Sequence, residues 1–305
     1  MSKPVGGAAV TDNLLANSAA VMGALLLVDS LHFIFGRMLL AYLPATTSSF
    51  FYMAIATVEI AAFAALRRQI DWQLFWRNSK FFLIIGFLIA YATAASFAAV
   101  SYIDPGTASM IARVNTLFAV AFGILWLKEK LTRGEKIGAA VAITGVFVIS
   151  FQPGAPGEQI WLGALLVLSS SFTYALHAAI VKRQGNDIEF TNFFLFRMLA
   201  SLFFLLIFAV GRGEMVWPQG WPVWGVLFLT GTLNVTISRG LYYIALRRFN
   251  LSLLTILLTL SPVITIFWSL LLFGEAPSLP GFAGGAAVIC GVIWVTLSRQ
   301  RKRSR

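Results

Sequence analysis

The chain has 305 residues, of which 59% are hydrophobic and only 11% charged, and its mean hydropathy is +0.83. Soluble globular domains carry about 25% charged residues, so the composition excludes a soluble enzyme. Twenty-three Lys and Arg against twelve Asp and Glu give a net charge of +11, but the basic residues stand between apolar runs rather than on one face, which excludes the nucleic-acid partner that such a charge suggests in a soluble chain.

A bilayer core of about 30 Å needs roughly 20 apolar helical residues to cross it, because unpaired backbone amides cannot be left in hydrocarbon. In chain order, ten runs meet this need: 16–36, 46–66, 80–103, 105–127, 134–151, 160–181, 190–210, 221–245, 250–273 and 279–298. Ordinary turn residues separate them, among them Arg67-Arg68-Gln69, Gln152-Pro153-Gly154, Lys182-Arg183-Gln184-Gly185 and Gly274-Glu275-Ala276-Pro277. The first run has only Lys3 as a basic leader and is long for a cleaved signal, so it is kept as a span. Asp104 and Asn250 are N-cap residues at short linkers, and Pro105 occupies a first helical position. The single cysteine, Cys290, lies inside an apolar run and offers neither a disulfide framework nor a metal site.

Positive loops stay cytoplasmic. With the N-terminus inside, eighteen Lys and Arg fall on the inner side, five of them in the tail 299–305; Arg37 and Arg212 fall outside, and Arg113, Arg197 and Arg239 lie within spans. Both termini are then cytoplasmic, and the Trp72 to Trp76 stretch belongs at the inner interface.

A shift of 146 positions lays Glu129 on Glu275, Gly138 on Gly284, Gly145-Val146 on Gly291-Val292, and Asp104 on Asn250. A shift of 145 lays His32 on His177 and Phe51-Tyr52-Met53 on Phe196-Arg197-Met198. The chain therefore reads as one transmembrane domain of two related halves, about 16–151 and 160–298, followed by a basic cytoplasmic tail at 299–305. Each half has five spans. Five is odd, so the second half enters the membrane from the opposite side, and the expected fold is an all-α integral membrane protein with ten helices in two inverted five-helix repeats around a central cavity. That is the architecture of secondary transporters.

The stretch Ala245-Leu246-Arg247-Arg248-Phe249-Asn250-Leu251-Ser252, the span holding Ser261-Pro262-Val263, then Phe273-Gly274-Glu275 and a Gly-rich last span resemble the drug/metabolite transporter superfamily, and within it the EamA-type bacterial amino-acid exporters. The resemblance covers nearly the whole chain. It implies alternating access, a location in the bacterial inner membrane, and export of amino acids, aromatic or otherwise amphipathic. The chain departs from the family pattern at Tyr52, where many relatives carry Arg, and at Asn115-Thr116, where Ser-Pro or Glu-Pro is common.

Charged side chains at the bilayer centre cost about 2.5–3.5 kcal/mol on insertion scales, so each needs a partner or a role. Asp29 and His32 share a helix face, as do Tyr174 and His177 in the equivalent sixth span. In one reading these pairs contact a zwitterion, with the Asp29 carboxylate on its ammonium; in the other each histidine only bonds a neighbouring helix. Arg113 and Arg239 either hold a substrate carboxylate or pair with Asp29 or Glu59, with the structural role preferred, and Arg197 and Glu59 are assigned to packing outside the cavity. Asn115 and Ser261 are repeat-related, and Pro262 frees a carbonyl near Leu258. Tyr91, Tyr174 and Tyr242 supply aromatic surface with a polar tip. The site expected to bind substrate is thus Asp29, His32, Tyr91, Asn115, Tyr174, His177, Tyr242 and Ser261. Gly134, Gly138, Gly281 and Gly285 permit close helix packing.

The expected partners are a small solute and membrane lipid, with no cofactor. No phosphate-cradling Gly-Lys-Ser/Thr loop is present, so energy comes from gradients. Proton coupling through His32, His177 or Asp29 and facilitated diffusion both remain open. An intramembrane enzyme lacks a Gly-x-Ser-x-Gly or His-Glu-x-x-His motif, and a channel lacks a filter loop.

Overall fold

A computed structural model describes residues 7–127, 132–150, 159–184, 188–248, 254 and 257–303. The loops containing Lys128 and Glu129, Gln152-Pro153-Gly154, Gly185, and the linker at Asn250 lie outside the described residues. Among the described residues every regular element is helical. In chain order these are α1 (Gly7–Ser30), α2 (His32–Leu40), α3 (Ala45–Leu66), α4 (Trp72–Arg77), α5 (Ser79–Ala99), α6 (Pro105–Ala112), α7 (Asn115–Leu127), α8 (Arg133–Ser150), α9 (Ile160–Gln184), α10 (Phe190–Gly211), α11 (Trp221–Leu229), a π-helical segment (Thr230–Ile237), α12 (Ser238–Arg248), α13 (Ser261–Phe273) and α14 (Leu279–Arg303).

Six stretches are long and apolar enough to cross a membrane unaided: Ala19–Leu40, Ala45–Leu66, Ser79–Ala99, Ile160–Gln184, Phe190–Gly211 and Leu279–Ser298. The other expected runs differ for physical reasons. Run 105–127 breaks at Arg113-Val114 into α6 and α7, run 221–245 passes through the π-helical segment, and α8 opens on Arg133, Glu135 and Lys136. Of run 250–273 mainly the apolar α13 is described. The chain is a multi-pass membrane protein, and large apolar side chains such as Leu125, Phe147, Phe203 and Leu271 stand exposed on its surface, as lipid contact requires.

Local chemistry fixes the breaks. Asp104 caps α6 by accepting the Thr107 amide at 2.8 Å, with Pro105 at the first position. The α1–α2 break at Leu31 follows the Ser30 carbonyl, which accepts a hydrogen bond from the Thr265 hydroxyl at 2.9 Å. Gly274 closes α13 in the left-handed region at φ 67°. The short α4 leaves Trp72 and Trp76 exposed.

Small residues set the helix contacts, since lipid supplies no hydrophobic drive between helices. Along α8 and α14 a Cβ on Gly138 would lie 2.8 Å from the Gly291 carbonyl oxygen, and one on Gly284 would lie 2.6 Å from that of Gly145. The helices are therefore antiparallel, with backbones touching at both points. Elsewhere α5 packs on α9 and α10, α3 on α10, α6 on α13, and α1 on α12.

Candidate functional site

A cavity of about 50 Å³ opens where α2, α3, α5, α9, α10, the π-helical segment and α12 converge. His32 enters from α2, Tyr52 and Met53 from α3, Ile89 and Thr93 from α5, and Tyr174 from α9. The opposite wall carries Arg197 and Met198 from α10, Asn234 and Val235 from the π-helical segment, and Arg239 from α12. Three pairs of lining residues, Tyr52 with Arg197, Met53 with Met198 and Ile89 with Asn234, stand 145 positions apart. Ligand sites usually measure about 300–1,000 Å³, so the cavity must widen to admit an organic solute.

Hydrogen bonds fix the polar lining. The Asn234 side-chain amide lies 3.0 Å from His32 Nδ1; with its nitrogen donating, the ring proton is left on Nε2. That nitrogen lies 3.2 Å from Ser96 Oγ, which itself donates to the Thr93 carbonyl at 2.9 Å. His32 is thus held as the neutral Nε2–H tautomer. Phe33 and Phe97 meet its ring edge-on, with centroids at 4.9 and 5.4 Å. Tyr174 and Thr93 share a hydrogen bond of 3.1 Å, and Tyr52, 2% exposed, stacks on Phe97. Arg197 lies over the Phe194 ring at 4.6 Å, and its Nε is buried without an acceptor.

Beside the cavity lies a second polar group. Arg113 donates to Asp29 Oδ2 at 3.2 Å, to Ser261 Oγ at 2.9 Å and to the Leu258 carbonyl at 3.0 Å, while Ser261 donates to the same Asp29 oxygen at 2.7 Å. The carbonyl expected to be freed by Pro262 is therefore occupied by Arg113, and Asp29 has its cation within the chain.

Of the expected site residues, His32 and Tyr174 line the cavity, and Asp29 and Ser261 share the neighbouring network. His177 is buried one turn beyond Tyr174, with Nε2 unpartnered and Arg197 and Arg239 as the charges acting on it. Tyr91 is 38% exposed and donates to Ser169 at 3.2 Å. Tyr242 packs against the Met22–Leu25 cluster, and Asn115 is exposed; neither lines the cavity.

Two assignments are corrected. Arg197, assigned to packing, lines the cavity, because α3 and α10 contribute to the wall, and Arg239 does the same. Glu59, assigned to packing outside the cavity, is absent from its described lining, and the hydroxyls of Thr232 and Thr236 in the π-helical segment donate to its two oxygens at 2.5 Å. Tyr52, Thr93, Asn234 and the two arginines were not in the expected site. The shift of 145 held a signal for two of them, since it lays Tyr52 on Arg197 and both line the cavity.

At one end of the bundle a larger cavity of about 680 Å³ lies between Arg37, the Val100–Asp104 turn, Gln159 and the Gly274–Ser278 turn. Arg37 pairs with Glu275 across it and donates to the Val100 carbonyl at 3.4 Å. Arg37, assigned to the outer side from sequence, and Glu275 thus lie at the same end. Burial pushes the Asp104 carboxyl up from its ordinary range against the opposing Thr107 hydrogen bonds, and the Glu275 charge adds to the rise.

With this geometry in place, the chain can be compared with known proteins. The EamA-like transporter family model matches residues 18–151 and 161–297. The chain is 24% identical over 270 residues to an uncharacterized transporter of Haemophilus influenzae, covering 84% of this chain and 87% of the relative. It is 25% identical to the pseudopaline exporter CntI of Pseudomonas aeruginosa, with 86% and 89% covered. It is 26% identical to a probable terminal-alkyne amino-acid exporter of Streptantibioticus cattleyicolor, with 67% and 69% covered. A solved crystal structure matches with a TM-score of 0.60 at 20% identity, covering 92% of this chain and 98% of that one, and shares its fold.

Proposed function

The chain belongs to the EamA-like transporter family, and from that premise we propose that it is a secondary carrier that exports amino acids, aromatic or otherwise amphipathic, across a bacterial inner membrane by alternating access. Relatives named as exporters, one of them of an amino acid, support the direction and the solute class. The single observation that carries the reading is the small, mixed aromatic and polar cavity where helices of both halves converge.

The proposed frame is ten crossings in two inverted repeats, about 16–151 and 160–298, with both termini cytoplasmic. Two features support it. Under the shift of 146 the Gly138–Gly291 contact becomes the Gly284–Gly145 contact, so one pseudo-twofold axis relates the two touching points. The α5–α9 and α1–α12 pairings are likewise exchanged by the repeat. In this frame His32 and Tyr174 contact the solute. Asp29 and Ser261 reach it only when the Arg113 network opens.

Flux in proteoliposomes tests the function. Saturable counterflow of labelled phenylalanine, tyrosine or another amphipathic amino acid is expected. A panel in which nucleosides or sugar phosphates exchange and no amino acid does would overturn the reading. Repeating the assay with and without a pH gradient separates proton coupling from facilitated diffusion. For the frame, accessibility labelling is expected to place the Lys128 turn and the Glu275 turn in opposite compartments, and finding both in one compartment would refute it.

A further inference from the structure

The charge of the cavity narrows the solute. Arg197 and Arg239 both line it, and the described lining contains no Asp or Glu. Neither arginine has a carboxylate within ion-pair distance among the described residues, where the ion pairs include Arg37–Glu275, Arg113–Asp29 and Arg212–Glu214. Asp29, the carboxylate that suits an ammonium group, is taken up by Arg113 and Ser261. Arg197 is half-buried and Arg239 exposed beside the cavity, and a guanidinium within a transmembrane segment is costly unless something neutralises it. Arg197 has no acceptor for its buried Nε, and His177 beside it leaves Nε2 open.

From this arrangement we propose that the transported solute is an amino-acid derivative carrying two carboxylates and no free ammonium group. The inference rests on the amino-acid reading above, which supplies one carboxylate; the second guanidinium calls for the other. Each guanidinium offers the planar fork that a carboxylate fills with two hydrogen bonds. Tyr52, Met53, Ile89, Tyr174 and Met198 give the apolar part of such a molecule a surface, while Thr93 and the neutral His32 contribute further polar contacts.

Counterflow by the full chain in proteoliposomes at neutral pH, with four probes, tests the proposal: phenylalanine (zwitterion), N-acetylphenylalanine (one carboxylate), N-succinylphenylalanine (two carboxylates) and benzylsuccinate (two carboxylates, no amino-acid skeleton). N-succinylphenylalanine is expected to half-saturate at a concentration about tenfold below that of phenylalanine. Arg197→Gln and Arg239→Gln are each expected to remove about tenfold of that affinity, a larger loss than either imposes on the single carboxylate of phenylalanine. Arg239→Lys is expected to restore part of it. The wild-type ranking stands even if a variant fails to fold. Preference for phenylalanine over both anions would overturn the dicarboxylate proposal and leave amino-acid export intact. Transport of benzylsuccinate with no amino-acid compound carried would keep the two-anion site and overturn the amino-acid reading. Equal loss of all probes in the glutamine variants would assign the arginines to structure and overturn the proposal.

Discussion

At the seam between α8 and α14 the two halves meet through identical residues, Gly138 against Gly291 and Gly145 against Gly284. At the cavity, two of the three pairs related by nearly the same shift carry different chemistry, Tyr52 answering Arg197 and Ile89 answering Asn234, while Met53 answers Met198. The seam is held by backbone approach, and a carbonyl 2.6 Å from where a Cβ would stand leaves room for glycine alone. The cavity imposes no such demand, because its side chains point into space that a solute must enter. Under the shift, residue identity is thus kept at the glycines that packing fixes, while Tyr52 and Arg197 differ in charge at the cavity.

The largest expected effect breaks the seam. Gly145→Val drives a branched side chain into the Gly284 backbone, and a cost of about 3 kcal/mol or more is expected from overpacking that neither backbone can relieve. Thermal unfolding in detergent measures it. Gly225→Ala is the control, since nothing lies within 4 Å of its Cβ, and in a helix interior it is expected to be stabilising by about 0.5–1 kcal/mol. Equal melting points for the two variants would remove the seam from the account.

Next in size is the network beside the cavity. Arg113→Met strands Asp29, Ser261 and the Leu258 carbonyl together. The pair is only partly buried, with side chains 19% and 33% exposed, so the expected cost is about 2 kcal/mol rather than the 3–5 of a fully buried pair. Adding Asp29→Asn is expected to recover about 1 kcal/mol, because the stranded charge is gone. Additive losses in the double variant would mean that the two residues do not act on each other.

The repeat-related histidines sharpen the comparison at the cavity itself. His32 has both ring nitrogens bonded and two aromatic neighbours, whereas Nε2 of His177 has no partner. His32→Ala is therefore expected to lose about 2 kcal/mol of stability, and His177→Leu less than about 1 kcal/mol. Both are expected to change counterflow. Unchanged affinity and rate in both variants would remove the histidines from the solute path.

The sequence revealed the helical character and the linker at Asp104, which follow from local chemistry, but not the breaks at Leu31 and Arg113-Val114 or the π-helical segment. Apolar run length gave the helices, the Asp104 cap gave the start of α6, and the carbonyl freed near Pro262 gave the point where Arg113 docks. The cavity wall was less readable. Arg197 and Arg239 look structural when each is weighed within its own helix, and only three-dimensional convergence reveals that neither has a carboxylate within ion-pair distance among the described residues. Glu59 was placed outside the cavity from sequence, but its partners, the hydroxyls of Thr232 and Thr236, were not legible, since they come within reach through a π-helical stretch that hydropathy does not signal. Tyr91 was drawn into the expected site by residue type and Asn115 by its shift relation to Ser261, and neither signal says which face a side chain occupies.

The smallest effect concerns the linker at Asp104, which the repeat pairs with Asn250. Asp104→Asn gives the first half the residue that the second half already carries, and Asn caps a helix about as well as Asp. Burial raises the Asp104 carboxyl in the folded chain above its ordinary value of 3.8, with the Glu275 charge adding to the shift. A group raised in this way binds its proton more tightly when folded, so stability falls as pH climbs from the ordinary carboxylate value through the raised one, and stays lower above it. Asparagine removes that dependence. Asp104→Asn is therefore expected to match or slightly exceed the wild-type melting temperature at pH 7 and to lose the advantage near pH 4. Asp104→Ala, which has no cap for the Thr107 amide, is expected to be about 1 kcal/mol less stable than Asp104→Asn at both. If the asparagine variant melts lower than wild type at pH 7 and equals it near pH 4, the carboxylate is stabilised by its surroundings, and the burial argument for this linker fails.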